Sequence, residues 1–258
     1  MATWTELDEE LNRWTEAGVV ADFWWRDDDA EAPGPELDRL LALAEAHGVP
    51  MHLSVIPVSG VPELGDRLAR ARDTWLLQHG FAHVNHEPAG ARPSEVGVTR
   101  DLGAQLDDIG EGWRRLSDAG LPNLLPVFVP PWNRIAETTT AQLPALGFRM
   151  LSSSLARASA TPVPGLAQVN VHADPIRWKN GVEFRGEGKF LDCVVEHLAD
   201  RREGRADAAE PTGVTTHHLQ HDAEIWSFLE TLTARLSAHP AVRWVRLADL
   251  VQAEETSW

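Results

Sequence analysis

The feature that most constrains the fold is an alternation of short apolar segments with helical segments along nearly the whole chain. Eight apolar runs lack strict polar–apolar alternation, which is typical of strands buried on both faces. They lie at residues 19–25, 50–56, 74–78, 124–129, 148–153, 166–171, 213–218 and 242–247. Strands of this kind belong to parallel sheets that helices cover, so the pattern predicts an α/β fold.

Helical segments separate most of these runs. Thr3 and Glu6 have the spacing of a capping box, which predicts an N-terminal helix over residues 1–18 that Gly18 ends. Further helices are predicted near residues 35–48, 62–72, 94–119, 137–146, 187–205 and 222–238. Seven or eight such β–α units favour a distorted, TIM-like (β/α)7-8 barrel, and a doubly wound open sheet is the alternative.

The composition is that of a globular protein. Its 258 residues suit a single domain spanning residues 1–258, and a content of 43% hydrophobic and 24% charged residues provides for a core. The 39 acidic residues outnumber the 23 basic ones, and the net charge of −16 disfavours nucleic acid and anionic membranes as partners. No segment has the pattern of a leader or a membrane span, so we expect a cytoplasmic protein without membrane insertion.

Polar and aromatic clusters follow five of the predicted strands. They lie at residues 26–29, 79–83, 130–132, 172–174 and 217–218. In barrel enzymes, side chains at the carboxyl ends of the strands converge over one face and carry the chemistry. The five clusters therefore predict one site at that face.

Two histidines and a run of aspartates give the strongest signal for this site. The spacing of His79 and His83 places both imidazoles on one face of a helical turn, close enough to share a cation. The run Asp27–Asp29 offers a carboxylate, and three adjacent carboxylates exceed what a turn or a helix cap needs. Because Cys193 is the only cysteine, a thiolate cluster is excluded. The set predicts a divalent metal, with Zn²⁺ as the default and Co²⁺, Ni²⁺ or Fe²⁺ as alternatives.

The order of these clusters resembles that of the polysaccharide deacetylases of carbohydrate esterase family 4, the NodB-homology family. The resemblance runs from Phe23 to Asp222 and is greatest with a bacterial subgroup that carries W-R-D-D-D and H-G-x-x-H-x-N-H. These motifs stand here at Trp25–Asp29 and His79–His86. The resemblance implies a distorted barrel and the metal-dependent removal of acetyl groups from N-acetylated amino sugars.

The resemblance also implies roles for the metal-site residues. Asp27 matches the catalytic base, and Asp28, His79 and His83 match the metal ligands. A register one residue later would make Asp28 the base and Asp29 the ligand. We prefer the earlier register, because it overlays the aromatic-Asp-Asp run of the family.

The remaining motifs imply a substrate pocket. The backbone N–H of Trp132 matches the donor to the oxyanion, since Pro131 has no N–H to offer. Either His217 or His218 matches the general acid that protonates the leaving amine. The substrate is expected to contact five residues: Pro131, Trp132, Asp174, Trp178 and His86. Loop stabilisation is the alternative for His86, and packing is the alternative for the two tryptophans.

Two positions depart from the family pattern. Val129 stands where the family has an arginine that keeps the catalytic aspartate ionised, so Arg26 or Arg134 would have to replace it. Arg177 stands where the family has an aspartate that orients the late histidine, a role that Asp174 is placed to take. Such changes leave the metal ligands intact and alter the groups around them.

Together these patterns predict a metal-dependent hydrolase that removes an acyl group from an amino sugar or a related amide. Its expected partner is a small-molecule or glycan substrate. The alternatives are a catalytically impaired carbohydrate-binding barrel and a hydrolase of another non-peptide C–N bond. The sequence leaves open the acyl group, the metal, and the choice between a monomer and a homo-oligomer.

Overall fold

A curled parallel sheet forms the centre of the molecule. The computed structural model describes residues 1–59, 61–179 and 181–255. Its strands are β1 (Ala21–Ala30), β2 (Met51–Val55), β3 (Thr74–His79), β4 (Leu124–Val129), β5 (Met150–Leu151), β6 (Ala167–Gln168), β7 (Ile176–Arg177), β8 (Glu183–Phe184), β9 (Thr212–Thr216) and β10 (Val242–Trp244). Strands β7 and β8 form a separate antiparallel hairpin, and all other pairings are parallel.

The order of the strands closes the sheet into a distorted barrel. Strands β1 to β6 pair in sequence order, β9 pairs with β1, and β10 pairs with the first residues of β1. Beyond β6, a parallel bridge between Ala173 and Val214 joins the far edge to β9. The sequence prediction of a barrel is confirmed, and the open-sheet alternative is wrong.

Helices cover the outside of this barrel. They are α1 (Trp4–Glu16), α2 (Pro35–Ala46), α3 (Val61–Leu68), α4 (Leu102–Asp118), α5 (Glu137–Thr140), α6 (Glu187–Glu203), α7 (Ala223–Ala238) and α8 (Leu247–Glu255). The capping box at Thr3 and Glu6 is present at the start of α1, as predicted. None of the described helices combines the length and the apolar character that crossing a membrane requires.

Strand alternation divides the core into two layers. Along β1, Phe23 and Trp25 face outward and pack with the residues of the covering helices. Trp24 faces inward and packs with valines and leucines of β3, β4 and the segment after β6. Because side chains alternate along a strand, the polar residues that follow on β1 should also face inward and outward in turn.

Three predicted elements differ in the structure. The helix predicted over residues 94–119 begins only at Leu102, because the Asp101 side chain caps it by accepting from the Ala104 N–H at 3.0 Å. The helix predicted over residues 137–146 splits into α5 and a 3-10 turn at Leu143–Leu146. The last predicted strand stops at Trp244, and α8 begins inside its range.

Candidate active site

The three aspartates at the carboxyl end of β1 do not all face the same side of the sheet. Arg26 and Asp28 share the inward face with Trp24, whereas Asp27 shares the outward face with Trp25. The register with β2 then shifts between Asp27 and Ala30, and Asp29 has a left-handed backbone with φ of 64°. This irregularity turns Asp29 into the same cavity as Asp28.

Asp29, rather than Asp28, lies against the two histidines. Its Oδ1 atom is 3.1 Å from His79 Nε2 and 3.4 Å from His83 Nε2. One potential ligand atom from each of these three residues lies within 4.8 Å of the other two. The predicted ligand Asp28 is not part of this group, so the geometry corresponds to the later register.

The hydrogen bonding of His79 suits a cation at this point. His79 Nδ1 lies 3.0 Å from the carbonyl oxygen of Val129, a contact in which the ring must donate. The neutral ring then has a lone pair on Nε2, 3.1 Å from the Asp29 carboxylate oxygen, and two acceptors so close repel unless a proton or a metal cation lies between them. Asp29 Oδ1 is buried and has no hydrogen-bond partner within the described chain. The three donor atoms, together with the hydrogen bond from His79 to the Val129 carbonyl oxygen, therefore fit a divalent metal such as zinc.

A tight loop, not a helical turn, brings His79 and His83 together. His79 ends β3, and both Gly80 and His83 have left-handed backbones with φ of 54° and 55°. A Cβ at Gly80 would overlap the Glu95 carboxylate and the ring of Pro131. Glu95 is buried and accepts from the N–H groups of Phe81 and Ala82 at 2.9 and 2.8 Å. The predicted proximity is therefore present, but the predicted helical turn is wrong.

Asp28 is held ionised by a buried arginine. Arg26 Nη2 donates to Asp28 Oδ2 at 2.9 Å, and Arg26 also donates to Asn133 Oδ1 at 2.6 Å. Burial alone would raise the pKa of Asp28, but Arg26, His79 and His217 together lower it. Asp28 Oδ1 is buried without a hydrogen-bond partner in the described chain. Arg26 thus supplies the charge that is missing at Val129, which is one of the two replacements considered from the sequence.

Asp27 and His218 form a separate buried pair outside the cavity. Asp27 Oδ1 is 2.5 Å from His218 Nδ1, and Asp27 Oδ2 accepts from the Thr216 hydroxyl at 2.6 Å. Burial lowers the pKa of His218, but Asp27 outweighs this effect and raises it. Neither residue lines the cavity, so the geometry does not favour Asp27 as the base or His218 as the acid.

His217 faces the cavity instead. Its Nε2 atom is 4.0 Å from Asp28 Oδ2, and its ring meets the edge of Trp178 with centroids 4.6 Å apart. Trp178 is fixed in turn, because its indole N–H donates to Asp174 at 2.7 Å. Asp174 therefore positions His217 through Trp178 rather than by a direct hydrogen bond.

The cavity has a volume of about 410 Å³ and opens at the predicted face of the barrel. Trp132 lines it from a left-handed backbone with φ of 56°, with its ring 4.3 Å from that of His83. Asp174 and Trp178 also line it, as predicted for substrate contacts. Pro131 packs beside Gly80, and His86 is exposed, and neither lines the cavity. For these two residues substrate contact stays a prediction that the cavity lining does not support.

Several lining residues were not singled out from the sequence, and two of them contact Asp28 and Arg26. Thr215 on β9 donates its hydroxyl to Asp28 at 3.4 Å, and Asn133 accepts from Arg26. Strand alternation would have pointed to Thr215, because it lies one residue from the outward-facing Thr216. Asn133 gives no comparable signal, since its position depends on the left-handed backbone that it shares with Trp132.

A second group of possible ligands lies in the wall of the barrel. His172, His197 and Glu210 each offer one atom within 4.8 Å of the others. The two imidazole rings are stacked, however, with centroids 3.4 Å apart and planes 17° from parallel. An ion in the plane of one ring would lie well out of the plane of the other, so this stack is not the arrangement of a metal site.

Solved structures share this fold at low sequence identity. A protein assigned as a polysaccharide deacetylase from Mycobacterium smegmatis is 17% identical with a TM-score of 0.68, over 93% of this chain and 92% of that chain. Puue allantoinase is 12% identical with a TM-score of 0.64, over 92% and 90%. A family 4 carbohydrate esterase from Streptomyces lividans is 14% identical with a TM-score of 0.56, over 86% and 90%. No family model and no curated protein matches the chain.

The chain therefore has the fold found in carbohydrate esterase family 4 deacetylases. The fold expected from the sequence resemblance is confirmed. Because an allantoinase has the same fold, the fold alone does not select a substrate. The function has to be argued from the side chains of the site.

Proposed function

We propose that this protein is a divalent-metal-dependent hydrolase that removes an acyl group from an N-acylated amino sugar or a related amide. The observation that carries the proposal is the convergence of Asp29, His79 and His83 at one point of the cavity. Asp28 and His217 lie beside that point, so a metal site, a base and an acid share one cavity. The deacetylases that share the fold support this reaction class.

Asp29 Oδ1, His79 Nε2 and His83 Nε2 would hold the metal. A divalent cation bound there would act as a Lewis acid and would lower the pKa of a bound water molecule toward neutrality. The hydrogen bond from His79 Nδ1 to Val129 keeps the Nε2 lone pair available. Backbone or strand geometry thus orients each ligand in the absence of the metal.

Asp28 is the proposed general base. Its Oδ1 atom has no hydrogen-bond partner in the described chain and is available to take a proton from the attacking water. Arg26 holds the other oxygen and keeps the carboxylate ionised. The lowered pKa keeps the Asp28 carboxylate in its proton-accepting form at neutral pH, and a divalent cation held by the three ligands would lower the pKa of the water that gives up the proton.

His217 is the proposed general acid, and Trp132 the proposed oxyanion donor. His217 lines the cavity beside Asp28 and is positioned by Trp178. It would give a proton to the leaving nitrogen, without which the C–N bond does not break at neutral pH. The N–H of Trp132 would stabilise the negative oxygen of the tetrahedral intermediate.

Metal analysis with an acetate-release assay tests this proposal. We expect one divalent ion per chain and the release of acetate from an N-acetylated amino sugar. His79→Ala should lose both the metal and the activity. His47→Ala is the matched control, because His47 lies at the end of α2 away from the cavity. A reconstituted protein that binds no divalent ion would overturn the proposal.

Hydrolysis of another C–N bond, such as that of a cyclic amide, is the second candidate. Its support is the similarity in fold to Puue allantoinase, whose TM-score of 0.64 lies between the 0.68 of the Mycobacterium smegmatis protein and the 0.56 of the Streptomyces esterase. The same metal, base and acid would serve both reactions. Faster turnover of cyclic amides than of acetylated sugars by the metal-loaded protein would favour this candidate.

A further inference from the structure

The search for further sites leads to Arg185, one of the two described arginines that line the cavity; the other, Arg134, donates to the Pro93 carbonyl oxygen at 2.9 Å. Most arginines of the described chain lie within ion-pair distance of a carboxylate, as expected in a protein of net charge −16. Arg185 lines the cavity and makes no such ion pair with any described residue. Its side-chain hydrogen bond in the described chain is a 3.7 Å contact from Nη1 to Cys193 Sγ.

Sulfur does not neutralise this guanidinium. A thiol is a weak acceptor, and burial raises the pKa of the Cys193 thiol, so the sulfur carries no charge at neutral pH. Arg185 is partly buried, lines the cavity and has five N–H donors in a planar fork, for which carboxylates and phosphates are the preferred partners.

The carboxylates of the cavity are occupied elsewhere. Asp28 is paired with Arg26, and Asp29 faces the two histidines. Asp174 accepts from the Trp178 indole and the Ile176 N–H, and burial raises its pKa despite the opposing effects of His217 and Arg185. The positive charge of Arg185 is therefore left for a ligand.

The hairpin β7–β8 fixes Arg185 in this position. The Arg185 N–H donates to the carbonyl oxygen of Pro175 at 2.7 Å, immediately after β8, and α6 begins two residues later. Trp178, from the same hairpin, contributes a half-exposed ring to the cavity wall. Arg185 and Trp178 thus present a cation and an apolar surface to the same ligand.

We propose that Arg185 forms an anion-binding subsite, and that the substrate is an N-acylated compound carrying a carboxylate or a phosphate group. This inference rests on the proposed function only in describing the ligand as a substrate. The binding of the anion does not depend on that function. An oxyanion of the substrate accepts two N–H bonds from the guanidinium, while the acyl group lies at the metal ligands. The subsite selects charged substrates over neutral ones of the same size.

Turnover of three matched compounds tests the subsite. The compounds are N-acetylglucosamine, which is neutral, N-acetylglucosamine 6-phosphate and N-acetylmuramic acid, which carries a carboxylate. We expect the highest kcat/KM for one of the two anions, and the better of the two identifies the group. Arg185→Ala should lower that kcat/KM about 10- to 100-fold through KM and leave the neutral compound within about twofold.

Arg177→Ala is the matched control, because Arg177 lies in the same hairpin, is paired with Glu183 and does not line the cavity. It removes the same charge and should leave the preference for anions unchanged. Arg185→Lys keeps the charge without the planar fork and should restore part of the preference. Equal kcat/KM values for neutral and anionic compounds in the wild type would overturn the subsite.

Calorimetry on the metal-loaded Asp28→Asn protein separates this inference from the proposed function. This variant binds ligand without rapid turnover, and N-acetylglucosamine 6-phosphate should bind more tightly than N-acetylglucosamine. Adding Arg185→Ala should abolish the difference. If no amide is hydrolysed by the wild type but this difference is found, the proposed function fails and the subsite stands. If amides are hydrolysed and the difference is absent, the subsite fails and the function stands.

Discussion

Each residue in the run Asp27–Asp29 has a different environment, and this difference can be measured. Asp29→Asn replaces a charged ligand atom with a neutral amide oxygen, so we expect metal affinity to fall at least about 100-fold while the fold persists. Asp28→Asn should keep the metal and lower kcat about 100- to 10,000-fold, the range for a general base. Titration with zinc and steady-state kinetics distinguish the two variants. Metal loss in Asp28→Asn with retention in Asp29→Asn would restore the earlier register.

Substitution of the two adjacent histidines should have different effects, on kcat for His217 and on stability for His218. His217→Ala should lower kcat about 100- to 10,000-fold with little change in stability, because His217 faces the cavity. His218→Ala leaves Asp27 as an unpaired buried charge, which should cost about 3–5 kcal/mol in the free energy of unfolding. Denaturant melts and single-turnover kinetics on both variants check this. A stable but inactive His218→Ala protein would identify His218 as the acid.

The site residues were predictable as a set, but their roles were not. His79, His83, Asp28 and Asp29 stand at the ends of apolar strands, where the catalytic groups of barrel enzymes lie, and they line one cavity in the structure. The role of each aspartate depends on a strand irregularity between Asp27 and Ala30, which hydrophobic periodicity does not locate. Alternation from Trp24 through Arg26 to Asp28 would have indicated the inward face, and this signal favours the later register.

The loop after β3 shows how an element is shaped for the site. Gly80→Ala combines a left-handed backbone with overlap against Glu95 and Pro131, so we expect a loss of about 2–5 kcal/mol in stability. The same change should weaken metal binding, because the loop sets the distance between His79 and His83. Thermal melts and zinc titration measure the two effects.

Gly90→Ala provides the control for this loop. Gly90 also has a positive φ, of 86°, but no heavy atom lies within 4 Å of a Cβ built there. It therefore reports the backbone strain alone, about 1–2 kcal/mol, and should leave metal binding unchanged. Equal effects of the two substitutions on stability and on metal affinity would contradict the packing argument at Gly80.

The long elements were predictable, and the short ones were not. Strands β2, β3 and β4 lie within about two residues of their predicted ranges, because most residues of their apolar runs are buried. The hairpin of β7 and β8 has two residues in each strand, which is too short to show a period. This hairpin carries Trp178 and precedes Arg185, so the part of the site that faces substrate is the part that sequence patterns describe least.

At the scale of the whole molecule, one buried histidine links three elements. His52 on β2 is fully buried, with Nδ1 2.9 Å from the Trp25 carbonyl oxygen of β1 and Nε2 accepting from the Leu247 N–H of α8 at 3.0 Å. Both nitrogens are thereby used by a neutral ring. Burial lowers the pKa of His52 to about 4, although the Trp25 carbonyl opposes this shift.

This pKa makes the stability of the fold depend on pH. The unfolded chain takes up a proton at His52 below its ordinary pKa of 6.5, whereas the folded chain resists until about 4. The contribution is therefore complete above pH 6.5 and is lost as the pH falls toward 4. A shift of this size corresponds to a loss of about 2 kcal/mol by pH 5 and about 3 kcal/mol in all.

The pH dependence of His52→Gln isolates this contribution. The variant starts from a lower free energy of unfolding at pH 8, because it loses one of the two buried hydrogen bonds, but it should lose about 2 kcal/mol less than the wild type between pH 7 and pH 5. His47→Gln, at the end of α2, removes a histidine outside this link and should keep the wild-type slope. Urea melts at a series of pH values give each slope. If the free energy of unfolding falls with pH in the same way in the wild type and in His52→Gln, protonation of His52 is not what destabilises the contacts among β1, β2 and α8 at low pH.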